Sequence, residues 1–242
     1  MKLSVVGIGP GRAGGMTGAV HAALAACDLI CGYTAYVELV RPIFPDKAYF
    51  STPMKSEVER CRAALKAAES QNVAMVCSGD AGVYGMAGLL YELWEPSGPV
   101  RLEVLAGVTA AQSGAALLGA PLMQDYAVVS LSDLLVDWDV IEKRLHGAGT
   151  GDFAVVLYNP GSKKRTDHLR RACDILLEYR GGDTLCGVAE NIGRDGETAR
   201  LMPLSQLRDF SAGMFCTVFI GNGKTVELGG KMVTLRGYEA KR

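Results

Sequence analysis

The amino-acid sequence predicts a two-domain α/β protein, with a parallel sheet in an N-terminal domain and a mixed sheet in a C-terminal domain. In the first half of the chain, apolar runs typical of buried strands alternate with helical patterns, which indicates parallel β–α units. A proline and a new apolar run appear near residue 120, and the last apolar runs are short, which favours antiparallel strands. We therefore expect domains at 1–119 and 120–242.

Four strands and four helices are predicted in the first domain. The strands cover 3–8, the run DLICGY, 73–80 and 100–107. The helices cover 17–28, 56–70, 83–95 and 109–119, and the second of them has a clear amphipathic pattern. Thr17 is a candidate N-cap, and Ser56 with Glu59 fits a capping box.

The second domain is predicted to mix strands and helices less regularly. Helices are expected in DWDVIEKRLHG and over 162–180, and the apolar runs at 153–161 and 184–191 are expected to form strands. The segments ETARLMPLSQL, GMFCTVFIGNG and KMVTLRGY are expected to contribute antiparallel strands.

Composition excludes several classes of protein. Hydrophobic residues make up 49% of the 242 residues and charged residues 21%, which is typical of a globular protein. The net charge of −1 creates no field that would recruit nucleic acid or an anionic membrane. The apolar runs are shorter than the ~18 residues that span a bilayer, and the first is too short for a signal peptide. We expect a cytoplasmic protein.

The cysteines and histidines predict no metal site. The seven cysteines form no C-x-x-C pair and lie mostly in apolar runs, which is typical of buried reduced thiols. The three histidines lack metal-ligand spacing.

The loop VVGIGPGRAGG follows the first predicted strand, at the end of a sheet where ligands usually bind in such folds. A dinucleotide fingerprint requires a third glycine where Arg12 stands, and Pro10 has no N–H to offer a phosphate. The loop therefore suits a ligand without phosphate that packs against backbone, such as S-adenosylmethionine. An ordinary strand-to-helix turn is the alternative.

Further polar residues follow other predicted strands. Asp80, in SGDAGVYG, is a candidate acceptor for a ribose or an ammonium group, or else a helix N-cap. Ser130, Ser132 and Asp133 also follow a predicted strand, and we expect them either to face a cleft or to cap the helix that follows. Tyrosines near strand ends would suit a flat macrocycle, although core packing is the commoner role.

Lys163, Lys164 and Arg165 are expected in the first turn of a helix. Positive charge there opposes the helix dipole by up to ~1 kcal/mol per site, which a polyanionic ligand would relieve. A solvated basic face is the alternative, and Arg194 is a candidate for the same surface.

Taken together, the loops carry a family resemblance. VGIGPG, SGDAGVYGMAGLLYE, LAGVTAAQSGAALLGAPL and VLYNPGSKKR occur in that order, and the chain resembles the tetrapyrrole (corrin/porphyrin) methylase family over about 3–235. The resemblance implies S-adenosylmethionine in a cleft between two α/β domains, and a homodimer. Within the family, YAVVSLSDLLVDWDVIEKRL, NPGSKKR and GRDGE resemble the members that methylate C17 of precorrin-3B in cobalamin synthesis.

The resemblance also implies which residues contact the cofactor. These are Gly9, Pro10, Gly11, Ser78, Gly79, Asp80, Val83, Thr109, Ala110, Tyr158, Asn159, Val188 and Ala189. The chain departs from the commonest family pattern at Ser78 and Ala81, and it has Gln124 where the subfamily more often has histidine.

The implied reaction transfers a methyl group to C17 and contracts the macrocycle to precorrin-4, with no covalent nucleophile on the enzyme. Ring contraction needs proton movement, for which Asp80, Ser132 and Asp133 are candidates. Lys163, Lys164, Arg165 and Arg194 would bind substrate carboxylates. The alternatives are C17-methylation of cobalt-factor III in the anaerobic branch, another methylase of the same fold, and an NAD-dependent dehydrogenase or nucleotide sensor.

Overall fold

A computed structural model describes residues 1–162 and 164–238 of the chain. The chain divides into two compact units, 1–110 and 111–242. Among the described residues, no helix is both long and apolar enough to cross a membrane.

The first unit is built on a five-stranded parallel sheet with the strand order β3-β2-β4-β1-β5. Its strands are β1 (Lys2–Gly7), β2 (Leu29–Tyr33), β3 (Ala48–Thr52), β4 (Val73–Cys77) and β5 (Arg101–Leu105). Its helices are α1 (Gly18–Ala26), α2 (Thr34–Val40), α3 (Glu57–Ala67) and α4 (Ala87–Leu93), and a short 3-10 helix covers Ala13–Gly15. The predicted parallel sheet is confirmed, whereas β3 and α2 were not predicted.

Both faces of the sheet are buried at its central strands β1 and β4. Leu3, Val5 and Met75 contribute to the core on one face, and Val6 and Val76 contribute to the core on the other. A parallel sheet with helices on both faces needs strands that are apolar on both sides, which is why β1 and β4 are nearly continuous apolar runs.

The two predicted helix starts in this unit have different outcomes. The Thr17 cap is confirmed, because its Oγ1 accepts a hydrogen bond from Val20 N at 3.3 Å. The capping box at Ser56 is wrong, because that side chain makes no capping hydrogen bond. The neighbouring Glu57 carboxylate instead accepts a hydrogen bond from Lys55 N at 3.1 Å, so it holds the turn that enters α3.

The second unit contains the predicted mixed sheet, with the strand order β10-β9-β11-β8-β7. Only the β7–β8 pair is parallel in it. A smaller sheet has the order β12-β13-β6. The strands are β6 (Gly119–Ala120), β7 (Tyr126–Ser130), β8 (Ala154–Tyr158), β9 (Leu185–Glu190), β10 (Thr198–Pro203), β11 (Cys216–Ile220), β12 (Thr225–Leu228) and β13 (Lys231–Thr234). The helices are α5 (Ala110–Leu118), α6 (Trp138–Thr150), α7 (His168–Leu177) and α8 (Leu204–Leu207).

Helix α5 belongs almost entirely to the second unit, although the predicted boundary at 119/120 assigns it to the first domain. Its Ala111, Ala115 and Leu118 pack in one apolar cluster with Val156 of β8 and Phe219 of β11. The small side chains on this face let the helix lie close to the sheet.

Helix α7 begins at His168, six residues later than predicted, which corrects the interpretation of the basic cluster. Lys164 and Arg165 precede the helix, so the predicted conflict with its dipole is wrong. Ser162 holds a turn here, because its Oγ accepts hydrogen bonds from Lys164 N at 3.3 Å and Arg165 N at 3.2 Å. Lys163 lies outside the described residues.

The prediction of buried, reduced cysteines is confirmed, since all seven are buried and unpaired. Burial raises the pKa of the Cys61 and Cys77 thiols to about 11. In the described part of the chain, no three His, Cys, Asp or Glu side chains group as metal ligands.

Candidate functional site

Three loops meet at the carboxyl edge of the parallel sheet, where β1, β4 and β5 end. Gly9 N donates to Gly79 O at 3.0 Å, and Gly79 N donates to Gly9 O at 2.8 Å. A Cβ atom on Gly107 would lie 2.2 Å from Gly79 O and 2.3 Å from Gly7 O. The loops therefore touch backbone to backbone, and only glycine fits at this position.

The loop after β1 is further compacted by its proline. A Cβ atom on Gly15 would lie 2.7 Å from the Pro10 ring, so the ring packs directly on this glycine. Gly9 and Gly11 have φ values of +63° and +105°, which side chains rarely adopt. The glycine and proline positions are thus explained by the shape of the loop.

Asp80 braces two of these loops. Its Oδ1 accepts hydrogen bonds from Gly82 N at 2.7 Å and Val83 N at 3.2 Å, and its Oδ2 accepts one from Gly107 N at 2.8 Å. The alternative of a helix N-cap is wrong, because α4 begins only at Ala87 and its N-cap residue is Met86. Asp80 instead ties the loop after β4 to the loop after β5.

These hydrogen bonds indicate what charge a ligand at the carboxyl edge of the parallel sheet should carry. The N–H groups of Gly9, Gly82, Val83 and Gly107 already donate within the protein, and Pro10 has none. A phosphate-binding loop needs several such donors pointing at the ligand. The carboxylate of Asp80 adds negative charge. The edge therefore suits a neutral or cationic group better than a pyrophosphate.

The remaining predicted cofactor residues of the first unit lie around this edge. The Cβ position of Gly79 is 3.6 Å from both Thr109 Cα and Ala110 N, so the loop after β5 approaches closely. Ser78 directly follows β4, and Val83 is 36% exposed in the loop that Asp80 holds.

The predicted cofactor residues of the second unit lie on β8 and β9. The Tyr158 hydroxyl accepts a hydrogen bond from Ala111 N at 2.8 Å, which fixes the first turn of α5. Val188 and Ala189 are fully buried on β9, which lies between β10 and β11 in the mixed sheet. Asn159 follows β8 with a φ of +53°.

A second polar cluster lies where the parallel strands β7 and β8 end. Asn159 Nδ2 donates to Ser130 Oγ at 2.9 Å, and the same oxygen accepts from Ser132 N at 3.2 Å. One Arg165 terminal nitrogen donates to Ser132 Oγ at 3.4 Å. The structure thus brings together Ser130, Ser132 and Arg165, which the sequence identified separately.

Asp133 has a partner that the sequence analysis missed. His168 Nε2 lies 3.0 Å from Asp133 Oδ2, and His168 is buried at the start of α7. The contact holds the pKa of the Asp133 carboxyl below its usual range, with help from the charge of Arg165. Neither Ser132 nor Asp133 caps α6, whose N-cap residue is Asp137.

The other predicted substrate residues lie in different places. Lys164 is exposed before α7. Arg194 lies in the turn after β9, with its guanidinium 4.8 Å from the centre of the Phe215 ring.

Comparison with known proteins identifies the family. The family model described as Tetrapyrrole (Corrin/Porphyrin) Methylases matches residues 2–208. A protein of Salmonella typhimurium named probable cobalt-factor III C(17)-methyltransferase is 44% identical, over 98% of this chain and 99% of that protein. The cobalt-factor III methyltransferase of Priestia megaterium is 43% identical over 99% of this chain, which spans only 46% of that protein.

A solved structure agrees with these relatives. The crystal structure of the methyltransferase CobJ superposes with a TM-score of 0.88 at 35% identity, covering 96% of this chain and 99% of that chain. The predicted family and the two-domain α/β fold class are therefore confirmed. The chain belongs to the tetrapyrrole (corrin/porphyrin) methylase family.

Proposed function

We propose that this chain is an S-adenosylmethionine-dependent methyltransferase that methylates C17 of a tetrapyrrole in cobalamin biosynthesis. The names of the Salmonella and Priestia relatives favour cobalt-factor III as the substrate. Metal-free precorrin-3B, converted with ring contraction to precorrin-4, is the second candidate.

The observation that carries this proposal is the internal use of the glycine-loop N–H groups around Asp80. S-adenosylmethionine fits such an edge, because it has a sulfonium and an ammonium group and no phosphate. A dinucleotide fits poorly, because its pyrophosphate would meet the Asp80 carboxylate, while four of the loop N–H groups already donate within the protein. The same geometry argues against the alternative of an NAD-dependent dehydrogenase or nucleotide sensor.

The residues proposed to hold the cofactor are those predicted from the sequence. In the first unit, the three glycine loops provide a rigid backbone surface, with Asp80 as an acceptor for a hydroxyl or ammonium group. Tyr158, Asn159, Val188 and Ala189 of the second unit remain predicted contacts. When bound, the cofactor supplies an electrophilic methyl group.

The protein's own contribution is orientation. C17 of the substrate is the nucleophile, so methyl transfer needs the enzyme only to hold the reacting atoms in line and exclude water. The proton movement of ring contraction needs an acid–base group as well, for which Asp80, Ser132 and Asp133 remain the proposed candidates.

Lys164 and Arg165 are proposed to bind peripheral carboxylates of the tetrapyrrole, with Lys163 and Arg194 as further predicted contacts. A homodimer also remains a proposal, which sedimentation would test.

Calorimetric titration with S-adenosylhomocysteine and with NADH tests the cofactor. We expect binding of S-adenosylhomocysteine and no heat with NADH. Tight NADH binding without binding of S-adenosylhomocysteine would overturn the proposal.

Charge reversal tests the substrate surface. Lys164→Glu is expected to raise the KM for the tetrapyrrole more than the KM for S-adenosylmethionine. Lys143→Glu, at an exposed position of α6, is the matched control and should leave both unchanged. An unchanged KM in Lys164→Glu would contradict a role in binding carboxylates.

A further inference from the structure

His168 is a buried histidine placed between two carboxylates. Its side chain is 8% exposed, with Nε2 3.0 Å from Asp133 Oδ2 and Nδ1 3.0 Å from Asp167 Oδ1. Asp133 is the less exposed of the two carboxylates, at 38% against 61%. Within the described part of the chain Nε2 makes no well-aligned hydrogen bond, so its contact with Asp133 is close in distance only.

The His168 imidazole ring is also held by an aromatic neighbour. Trp138 meets the imidazole edge-on, with ring centroids 5.1 Å apart and an interplanar angle of 82°. The Arg171 guanidinium lies 3.9 Å from the centre of the Trp138 ring. Since these contacts join the start of α6 to the start of α7, the imidazole has little freedom to turn away from Asp133.

Asp133 also lies beside a surface of mixed character. Its neighbour Ser132 accepts a hydrogen bond from Arg165, while Leu134 and Leu135 are 73% and 98% exposed. Two exposed leucines next to a guanidinium and a carboxylate would suit a flat apolar body that carries both carboxylates and hydrogen-bond donors. A tetrapyrrole has that chemistry.

We propose that His168 is a positioning residue, which holds the Asp133 carboxylate in place to accept a hydrogen bond from a hydroxyl group of the tetrapyrrole or, in a metal-free macrocycle, from a ring N–H group. The identity of the ligand rests on the proposed function. The His168–Asp133 pairing itself does not, so the two can be tested separately.

Two substitutions separate the polar contact with Asp133 from ring packing. His168→Gln keeps an N–H donor and loses the aromatic ring, whereas His168→Phe keeps a ring beside Trp138 and loses the donor. A positioning role predicts that kcat/KM falls roughly tenfold in His168→Phe, because the close contact of Nε2 with Asp133 is lost, although that contact is weaker than a well-aligned hydrogen bond to a charged group. It also predicts that His168→Gln retains a higher kcat/KM than His168→Phe. The double variant Asp133→Asn with His168→Phe should have the same kcat/KM as Asp133→Asn alone, because His168 acts through the Asp133 carboxylate.

The pH profile provides a readout that packing would not move. The His168 contact lowers the pKa of Asp133, so its loss should move the acid limb of kcat/KM to higher pH. Arg165 also lowers this pKa and is present in every variant, while Asp167 and Arg171 are the other charges around the ring. His146→Phe is the matched control, because His146 also contacts an aromatic ring and carboxylates, on a different part of α6.

A measurement without substrate keeps the inference independent of the proposed function. Carbon NMR of the free protein should give Asp133 a pKa below its usual range, which rises in His168→Phe and not in His146→Phe. An ordinary Asp133 pKa in the parent, or higher activity in His168→Phe than in His168→Gln, would overturn the inference. Failure of the parent to methylate either tetrapyrrole would overturn the proposed function alone.

Discussion

Replacing Asp80 by alanine should destabilise the first unit, because one carboxylate serves three backbone donors. A hydrogen bond to a charged acceptor contributes about 1.5–3 kcal/mol when partly buried, and less when water can replace it. The bond from Gly107 N is partly buried, while those from Gly82 N and Val83 N are exposed. We therefore expect Asp80→Ala to lower the free energy of unfolding by about 2–4 kcal/mol.

Urea unfolding of the full chain, with amide exchange at Gly107, measures this effect. Asp28→Ala is the matched control, because within the described residues Asp28 accepts one backbone hydrogen bond, from Asn72 N at 2.8 Å. Asp28→Ala should lower the free energy of unfolding by about 1 kcal/mol or less. Asp80→Asn should lower the free energy of unfolding less than Asp80→Ala and more than Asp28→Ala. Its amide oxygen can still accept a hydrogen bond, whereas its amide nitrogen would face a backbone N–H donor. If Asp80→Ala unfolds like the parent and Gly107 exchanges at the same rate, Asp80 is not a brace.

Three further predictions follow from burial and packing. In urea unfolding, Gly107→Ala should lower the free energy of unfolding by about 3 kcal/mol or more, because the new Cβ would lie 2.2 Å from Gly79 O. Gly88→Ala has open space around the new Cβ and should leave that free energy unchanged or raise it. Leu135→Ser should raise the KM for the tetrapyrrole up to about tenfold without changing stability, and an unchanged KM would remove Leu135 from the substrate surface. The seven buried thiols should react with a thiol reagent at pH 8 only after unfolding, and rapid reaction of the native chain would contradict their burial.

Much of the first unit could be predicted because its central strands are apolar on both faces. The runs that became β1 and β4 are buried along nearly their whole length, and that pattern is visible in the sequence. β3 was missed because, of its five residues, only the last, Thr52, is buried. A half-exposed edge strand of five residues has no apolar run to mark it.

The start of α7 could not be predicted from the local pattern of polar and apolar residues. Residues 162–167 are polar and compatible with helix, yet the Ser162 side chain closes a turn with Lys164 and Arg165. Local hydrogen bonding of this kind competes with helix formation and leaves little trace in hydrophobic periodicity. The predicted helix dipole argument failed for that reason.

The parts of the candidate site that depend on local backbone shape could be predicted from the sequence. The parts that depend on contacts between residues far apart in the chain could not. The glycine and proline positions of the first loop were identified from their residue types alone. The third hydrogen bond of Asp80 comes from Gly107, 27 residues away, and only the fold reveals it. The pairing of Asp133 with His168 was missed for the same reason, because no spacing rule joins a loop residue to the start of a later helix.

One measurement tests the proposed function most directly. The purified chain is incubated with S-adenosylmethionine labelled with carbon-13 at its methyl group and, in parallel, with cobalt-factor III or precorrin-3B. Mass spectrometry counts the methyl groups added, and NMR locates the label. We predict one added methyl group, at C17, with the absorbance change of ring contraction. Label at another carbon, or no label in either tetrapyrrole from a chain that still binds S-adenosylhomocysteine, would contradict the proposed C17 chemistry.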